Sequence, residues 1–265
     1  MRNIWITLAY EGTAYSGFQR QENGITVQEI LETALQKLTG TKTTLYFVAR
    51  TDAGVHACGQ ECTFYTRSSI PGNRFIYALN ILLPPDIRII QSRDMDENFS
   101  VRRQNFGKTY GYLLTENKEA SPFLKRYLWQ TGRKLDIQKM EAAARVIQGT
   151  HDFTSFRGNN SVPSDPVRTL YDIRIIKKDH LYRIFVTGEG FLYHMVRNIA
   201  GALVDAGAGI LTPKDIEDIL CKKDRRLLGI TAPAEGLCLL KVYFEPVTPE
   251  GIEKTVHGNC YPWSI

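Results

Sequence analysis

One short stretch of the chain gathers groups that could do chemistry together: Arg50-Thr51-Asp52-Ala53-Gly54-Val55-His56-Ala57. Its carboxylate is flanked by a cation, a hydroxyl and a glycine, side-chain types that a tight turn can hold in one geometry. Arg50 is expected to keep Asp52 ionised, and Thr51 with nearby backbone N–H groups to orient its oxygens. Gly54 permits a positive φ or the close approach of a ligand. The same stretch also fits an Asx-turn between two strands, with the aspartate bonded to the backbone that follows it. Taken alone, the residues leave both readings open.

Other reactive arrangements fail on spacing. Gly107-Lys108-Thr109 ends like a phosphate loop, but Arg102 stands where the earlier glycine is required. Ser16 lacks the flanking glycines of a nucleophile elbow, since those positions hold Ala14 and Phe18. No G-x-G-x-x-G follows a strand. The histidines (His56, His151, His180, His194, His257) show no i, i+4 pairing and no Cys or carboxylate at metal-ligand spacing. The five cysteines (Cys58, Cys62, Cys221, Cys238, Cys260) are scattered and read as reduced, small buried side chains. No metal and no cofactor are expected.

The elements that must position the Asp52 loop follow from periodicity. Residues 4–10 alternate as a half-buried strand. A Gly-rich loop follows, from Glu11 to Arg20, and Thr26 with Glu29 forms a capping box. Val27, Ile30, Leu31, Ala34, Leu35 and Leu38 make one helical stripe that Gly40 ends. Strands are predicted near Thr44–Val48 and Gln60–Thr66, with Ala49–Gly59 as the loop between them. A helix from Pro71 to Leu82, stopped by Pro84-Pro85, and a strand over Ile87–Ser92 complete a β-α-β-β-α-β, ferredoxin-like unit.

The second half repeats the theme loosely. Phe106–Thr115 reads as a strand with Tyr110, Tyr112 and Leu114 on one face, and Asp136 caps a helix that Gly149 ends. Gly158–Pro166 reads as a loop, and Thr169–Lys178 with Leu181–Thr187 as a hairpin around Asp179-His180. A helix over Tyr193–Ala206, a short one opened by Thr212-Pro213 and a last strand over Leu237–Phe244 follow. The class is α+β, in two domains, 1–100 and 101–265.

Length and composition fit this reading: 265 residues, 43% hydrophobic and 23% charged, suit a globular fold with a buried core. No apolar run is long enough for a transmembrane helix, and the N-terminus reads as a strand, not a signal peptide, so the cytoplasm is the expected location. The formal net charge is +5, and eight basic against two acidic residues lie between Phe99 and Leu135. That stretch is expected to grip phosphates.

The Asp52 loop resembles the signature of the TruA family of tRNA pseudouridine synthases, Gly-Arg-Thr-Asp-Ala-Gly-Val-His, with Ala49 in place of the usual glycine. The resemblance covers nearly the whole chain. Gly17-Phe18-Gln19-Arg20-Gln21 and Thr26-Val27-Gln28-Glu29 match early elements of that family. Asn98-Phe99-Ser100-Val101-Arg102 with Lys108-Thr109-Tyr110-Gly111-Tyr112 is similar to its F-x-x-R…(R/K)-x-Y-x-Y element. Asp152-Phe153-Thr154-Ser155-Phe156-Arg157, Phe191-Leu192-Tyr193-His194-Met195-Val196-Arg197-Asn198 and Glu235-Gly236-Leu237-Cys238-Leu239 match later ones.

The resemblance implies an isomerase that turns uridine into pseudouridine at positions 38, 39 and 40 of the tRNA anticodon stem-loop. It implies two ferredoxin-like halves sharing a mainly antiparallel sheet with the catalytic cleft between them, in a homodimer. Asp52 then matches the catalytic aspartate, Tyr110 the substrate-contacting tyrosine and Arg197 the arginine that pairs with the aspartate, while Arg50 lies in the signature itself. Two alternatives stay open: a non-catalytic RNA-binding module, and a pseudouridine synthase acting on another RNA site.

Overall fold

The computed structural model describes residues 1–119, 121–159, 165–260 and 262–263. It divides into two compact units, Met1–Phe106 with Leu239–Pro246, and Gly107–Cys238 with Val247–Ile265.

In the first unit the order is β1 (Arg2–Tyr10), α1 (Val27–Thr39), β2 (Tyr46–Phe47), β3 (His56–Thr66), α2 (Phe75–Leu82) and β4 (Ile87–Met95). That is the β-α-β-β-α-β order read from the sequence. β1 lies between β4 and β3, antiparallel to both, and β2 pairs with β3. Period-2 alternation sends Ile4, Ile6 and Leu8 to one face, all fully buried. On that face Phe64, registered to Ile4, meets Phe75 of α2 at 5.3 Å between ring centroids. Trp5, Thr7 and Glu61 leave the opposite face, and both Trp5 Nε1 and Thr7 Oγ1 donate to the Glu61 carboxylate. Burial pushes the Glu61 carboxyl up, and these bonds with Arg93 and Lys241 oppose it, leaving it at about 7.

Local chemistry explains the boundaries. Thr26 caps α1 by accepting from Glu29 N–H at 3.3 Å, and Gly40 ends it at φ 73°. Glu29 pairs with Arg20 at 3.6 Å. The predicted helix over Pro71–Leu82 is split: a 3₁₀ turn, Gly72–Arg74, precedes α2 because the Asp94 carboxylate captures Gly72 N–H at 3.0 Å. β3 starts at His56, four residues before the predicted Gln60, so the loop is shorter than read. The buried His56 ring accepts Gly12 N–H at 3.0 Å, which draws the chain into the ladder beside Tyr10.

The second unit contains β5 (Gly107–Thr115), β6 (Trp129–Gln130), α3 (Ile137–Ile147), β7 (Gly149–Asp152), β8 (Val167–Lys178), β9 (Leu181–Gly188), α4 (Met195–Gly207) and α5 (Pro213–Lys222). β10 (Leu237–Tyr243) and α6 (Pro249–Val256) end the chain's regular structure among the described residues. The sheet runs β5-β9-β8-β7, antiparallel throughout, with β6 parallel on β5. β10 lies beside β3, so most of it belongs to the first unit.

Asp136 caps α3 through Gln138 and Lys139 N–H, and Thr212 with Asp215 forms a full capping box on α5. α4 starts at Met195, not at the predicted Tyr193. His194 is held at φ 59°, its ring stacked 3.7 Å from that of Tyr193, and this left-handed residue blocks an earlier start. β6, β7 and α6 were not predicted. Of the predicted loop at 158–166, residues 160–164 lie outside the described residues. Cys62 and Cys238 are buried and Cys221 is exposed, all three outside any disulfide, whereas Cys58 and Cys260 are disulfide-bonded, against the reading of five reduced, buried thiols. No helix among the described residues is long and apolar enough to cross a membrane.

Candidate functional site

The Asp52 loop is a turn closed by main-chain atoms: Val55 N–H donates to Asp52 C=O at 3.1 Å, and Gly54 has φ 80°. Gly54 thus holds the position that a type II turn gives to glycine. The preceding Gly-rich loop forms its bed. Phe18 N–H donates to Thr51 C=O at 3.1 Å and Gly54 N–H to Tyr15 C=O at 3.3 Å. Gly17, at φ 87°, approaches so closely that a Cβ there would lie 2.6 Å from Thr51 O, and one on Gly12 would lie 2.0 Å from Val55 O. The upstream edge is clamped by the buried Gln60 side chain, which donates to Ala49 C=O at 2.6 Å and accepts Ala49 N–H at 3.3 Å. Ala49 does not have a positive φ, so alanine serves where the family signature has glycine.

Within this frame Asp52 is half-exposed while Thr51 and Val55 are buried. Thr51 Oγ1 lies 2.7 Å from Tyr10 OH, so its hydroxyl anchors the loop to β1 and is not spent on the Asp52 oxygens as expected. Arg50 is exposed, and among the described residues it forms no ion pair with Asp52. Its charge is left facing outward. Arg102, of the F-x-x-R element, donates from Nε to Phe47 C=O at 3.0 Å and lies 4.9 Å over the Phe47 ring, supporting the strand that leads into the loop.

In the second unit Tyr110 lies on β5 opposite Val186, with its ring edge-on to Phe191 at 5.1 Å. Only 7% of Tyr110 is accessible. Tyr112, two residues on, is part of the core: its OH donates to Pro233 C=O at 2.8 Å, and Gly236 makes room for its ring, since a Cβ there would lie 2.6 Å from Tyr112 Cζ. The glycine of Glu235-Gly236-Leu237 therefore has a packing reason.

Arg197 is half-buried on α4 and donates from Nε to Ala232 C=O at 2.7 Å. Asn198 beside it bonds Phe156 C=O at 2.7 Å, which ties the α4 motif to the Asp152–Arg157 motif. Arg225 completes this knot by donating to Asn198 Oδ1 at 3.0 Å and Thr231 Oγ1 at 2.9 Å. Sequence reasoning missed Arg225, because it lies in none of the matched elements. It also lines an open depression of about 660 Å³ with Thr154, Arg157, Gly158, Asn159, Lys223 and Asp224, rich in positive charge.

Of the predicted site residues, the structure thus places Asp52 and Arg50 in the first unit and Tyr110 and Arg197 in the second. The basic stretch between Phe99 and Leu135 is partly spent on structure: Arg133, for example, pairs with Asp205 at 2.7 Å.

A family model described as tRNA pseudouridine synthase matches residues 6–102 and 143–245. A protein of Acetivibrio thermocellus named tRNA pseudouridine synthase A is 43% identical over 244 residues, 92% of this chain and all of that one. Proteins of the same name from Thermoanaerobacter sp. and Geotalea daltonii are 41% and 40% identical, again over 92% of this chain and all of theirs. Among solved structures, a Cbf5-Nop10-Gar1 complex matches with a TM-score of 0.35 and 10% identity over 76% of this chain and 45% of that one, a likeness too slight to carry an argument. The family model and these full-length relatives agree with the motifs in the chain: it belongs to the tRNA pseudouridine synthase family.

Proposed function

We propose that the protein isomerises uridine to pseudouridine at positions 38, 39 and 40 of the tRNA anticodon stem-loop. The observation that carries the reading is Asp52, half-exposed on a turn whose backbone is fixed by glycines, inside a chain that matches the family over most of its length. The reaction breaks the N1–C1′ glycosidic bond, turns the uracil and rejoins it through C5, with no water or electron acceptor consumed. Positive character develops on the ribose carbon during cleavage, as in other glycosyl transfers. An ionised carboxylate can stabilise that charge, attack the carbon or take a neighbouring proton, and Asp52 supplies it. Extruding the target base from its stem costs a few kcal/mol. In this reading Tyr110 contacts the extruded uracil, Arg197 binds the substrate from the second unit, and the outward charge of Arg50 meets the RNA backbone. The protein works in the cytoplasm as a homodimer and needs no cofactor.

The test is incubation with unmodified tRNA transcripts and mapping by carbodiimide-blocked primer extension. Stops at positions 38–40 are expected, and Asp52→Asn should slow their appearance by at least about a thousandfold. Turnover by that variant near the wild-type rate overturns the role of Asp52. Stops confined to other positions overturn the site, and tight binding with no stops at all points to an RNA-binding module.

A further inference from the structure

Lys108 and Tyr110 leave the same face of β5, two residues apart. Lys108 is registered to Gly188 on β9, and Gly188 to Leu170 on β8. Leu170 lies over Gly188, its Cδ2 2.8 Å from where a Cβ would stand, so Leu170 shares the face of Lys108. Arg168, two residues before Leu170, shares it too, and its side chain passes Gly190, with Nε 3.7 Å from where that Cβ would stand. Phe191, the next residue, holds the Tyr110 ring. One face of the second unit thus brings together Lys108, Arg168 and Tyr110 around the turn that leaves β9.

The two cations are half-buried, and among the described residues neither has a carboxylate within ion-pair distance. Among the described residues the Arg168 guanidinium donates one hydrogen bond, to its neighbour's carbonyl, Val167 C=O. Like charges held together out of water repel each other, and an anion placed between them removes the penalty. A phosphate oxygen suits this arrangement, since an arginine fork and a lysine ammonium can both donate to it. We propose that Lys108 and Arg168 form a two-cation seat for a backbone phosphate of the RNA strand whose base reaches Tyr110. The seat positions the strand and takes no part in bond making or breaking.

Burial and the nearby Arg168 charge hold the Lys108 ammonium down at about 8, against 10.5 for an ordinary lysine. The charged form is present below that value and is lost as pH rises through it, so the seat weakens above pH 8. The other titratable groups around it are Arg168, the Glu189 carboxylate that accepts Thr169 N–H, the Tyr171 phenol packed near Gly107, and His151 registered to Arg168. All four are unchanged in a Lys108→Arg variant, which keeps the charge across the whole range.

The inference rests on the proposed RNA substrate, and its test reads binding separately from turnover. Affinity for an unmodified tRNA transcript is measured against salt concentration for the wild type, Lys108→Gln, Arg168→Gln and Lys108→Arg, with urea midpoints to confirm folding. Each Gln variant should bind about five- to eightfold more weakly at 0.1 M salt, with a log–log salt slope shallower by about 0.7–0.9. Lys108→Arg should bind like the wild type at pH 7 and lose the wild type's fall in affinity between pH 7 and 9. Unchanged salt slopes in both folded Gln variants, or an equal pH dependence in Lys108→Arg, overturn the seat. Wild-type protein that makes pseudouridine while those slopes stay unchanged sinks this inference alone, and a wild type that makes none sinks the functional reading.

Discussion

In the first unit Asp52 is carried by backbone: main-chain atoms close its turn, and two glycines of the preceding loop press against it with no side chain between. In the second unit Tyr110 is carried by side chains, a ring edge on Phe191 with the buried Tyr112 phenol beside it, and the helix that bears Arg197 by the knot of Asn198, Arg225 and Thr231, while the Arg197 guanidinium itself rests on the Ala232 carbonyl. The two units also treat acids differently. The first buries Glu61 beneath Trp5 and leaves it easily protonated, whereas the second sets Asp152 at the surface with Lys223 at 2.8 Å. There the slight burial of Asp152 is outweighed by Lys223 and Thr154, which hold the carboxyl at about 2. A backbone-held residue is sensitive to any added Cβ in its bed, while a side-chain-held one tolerates changes that preserve shape.

The sharpest way to break this contrast is Gly17→Ala. Its positive φ and the closeness of Thr51 O mean that a methyl must push the loop, and a shift of about 1 Å at a reacting group can cost about a hundredfold in turnover. Pseudouridine formation should fall by about that factor in protein that still folds. Wild-type turnover would show that the bed does not fix Asp52.

Next in size is the pH dependence of stability. Folded Glu61 titrates near 7 against 4.5 when unfolded, so the native state binds the extra proton and stability falls as pH rises through this interval. Urea unfolding should show a loss of about 2 kcal/mol between pH 5.5 and 8 from this group, absent in Glu61→Gln. The Asp152 carboxyl has the opposite sign: its contribution is present above pH 4 and disappears as pH falls through about 2. An equal pH slope in Glu61→Gln would remove Glu61 as the cause. The smallest effect is Tyr112→Phe, which keeps the ring and loses one hydrogen bond, expected to cost about 1 kcal/mol with turnover unchanged. A large loss of activity would move Tyr112 from packing to the site.

Where a boundary depends on neighbours in sequence, it was readable: Thr26 and Gly40 delimit α1, Asp136 opens α3, and Gly54 marks the turn that carries Asp52. Where it depends on a distant partner, it was not. β3 begins early because His56 meets Gly12, 44 residues away, and the start of α2 is split because Asp94 reaches back 22 residues to Gly72. The Thr51 hydroxyl was assigned to Asp52 by adjacency, yet Tyr10, 41 residues off, takes it. Arg225 shows the same limit, since its partners come from α4 and from a loop beyond it. The helix α6 is a different omission: Thr248-Pro249 carries a cap and a first-turn proline, signals that can be read locally.

Because residues 239–246 complete the first unit, a nascent chain leaves the part of one flank of β3 that β2 does not cover bare until most of the second unit's sequence has been translated. At elongation speeds of about 5–20 residues per second that interval is roughly ten to thirty seconds. An open strand edge over that time invites pairing with other chains. The order in which this polypeptide emerges from the ribosome therefore makes its earliest-made half one of the last to be sealed.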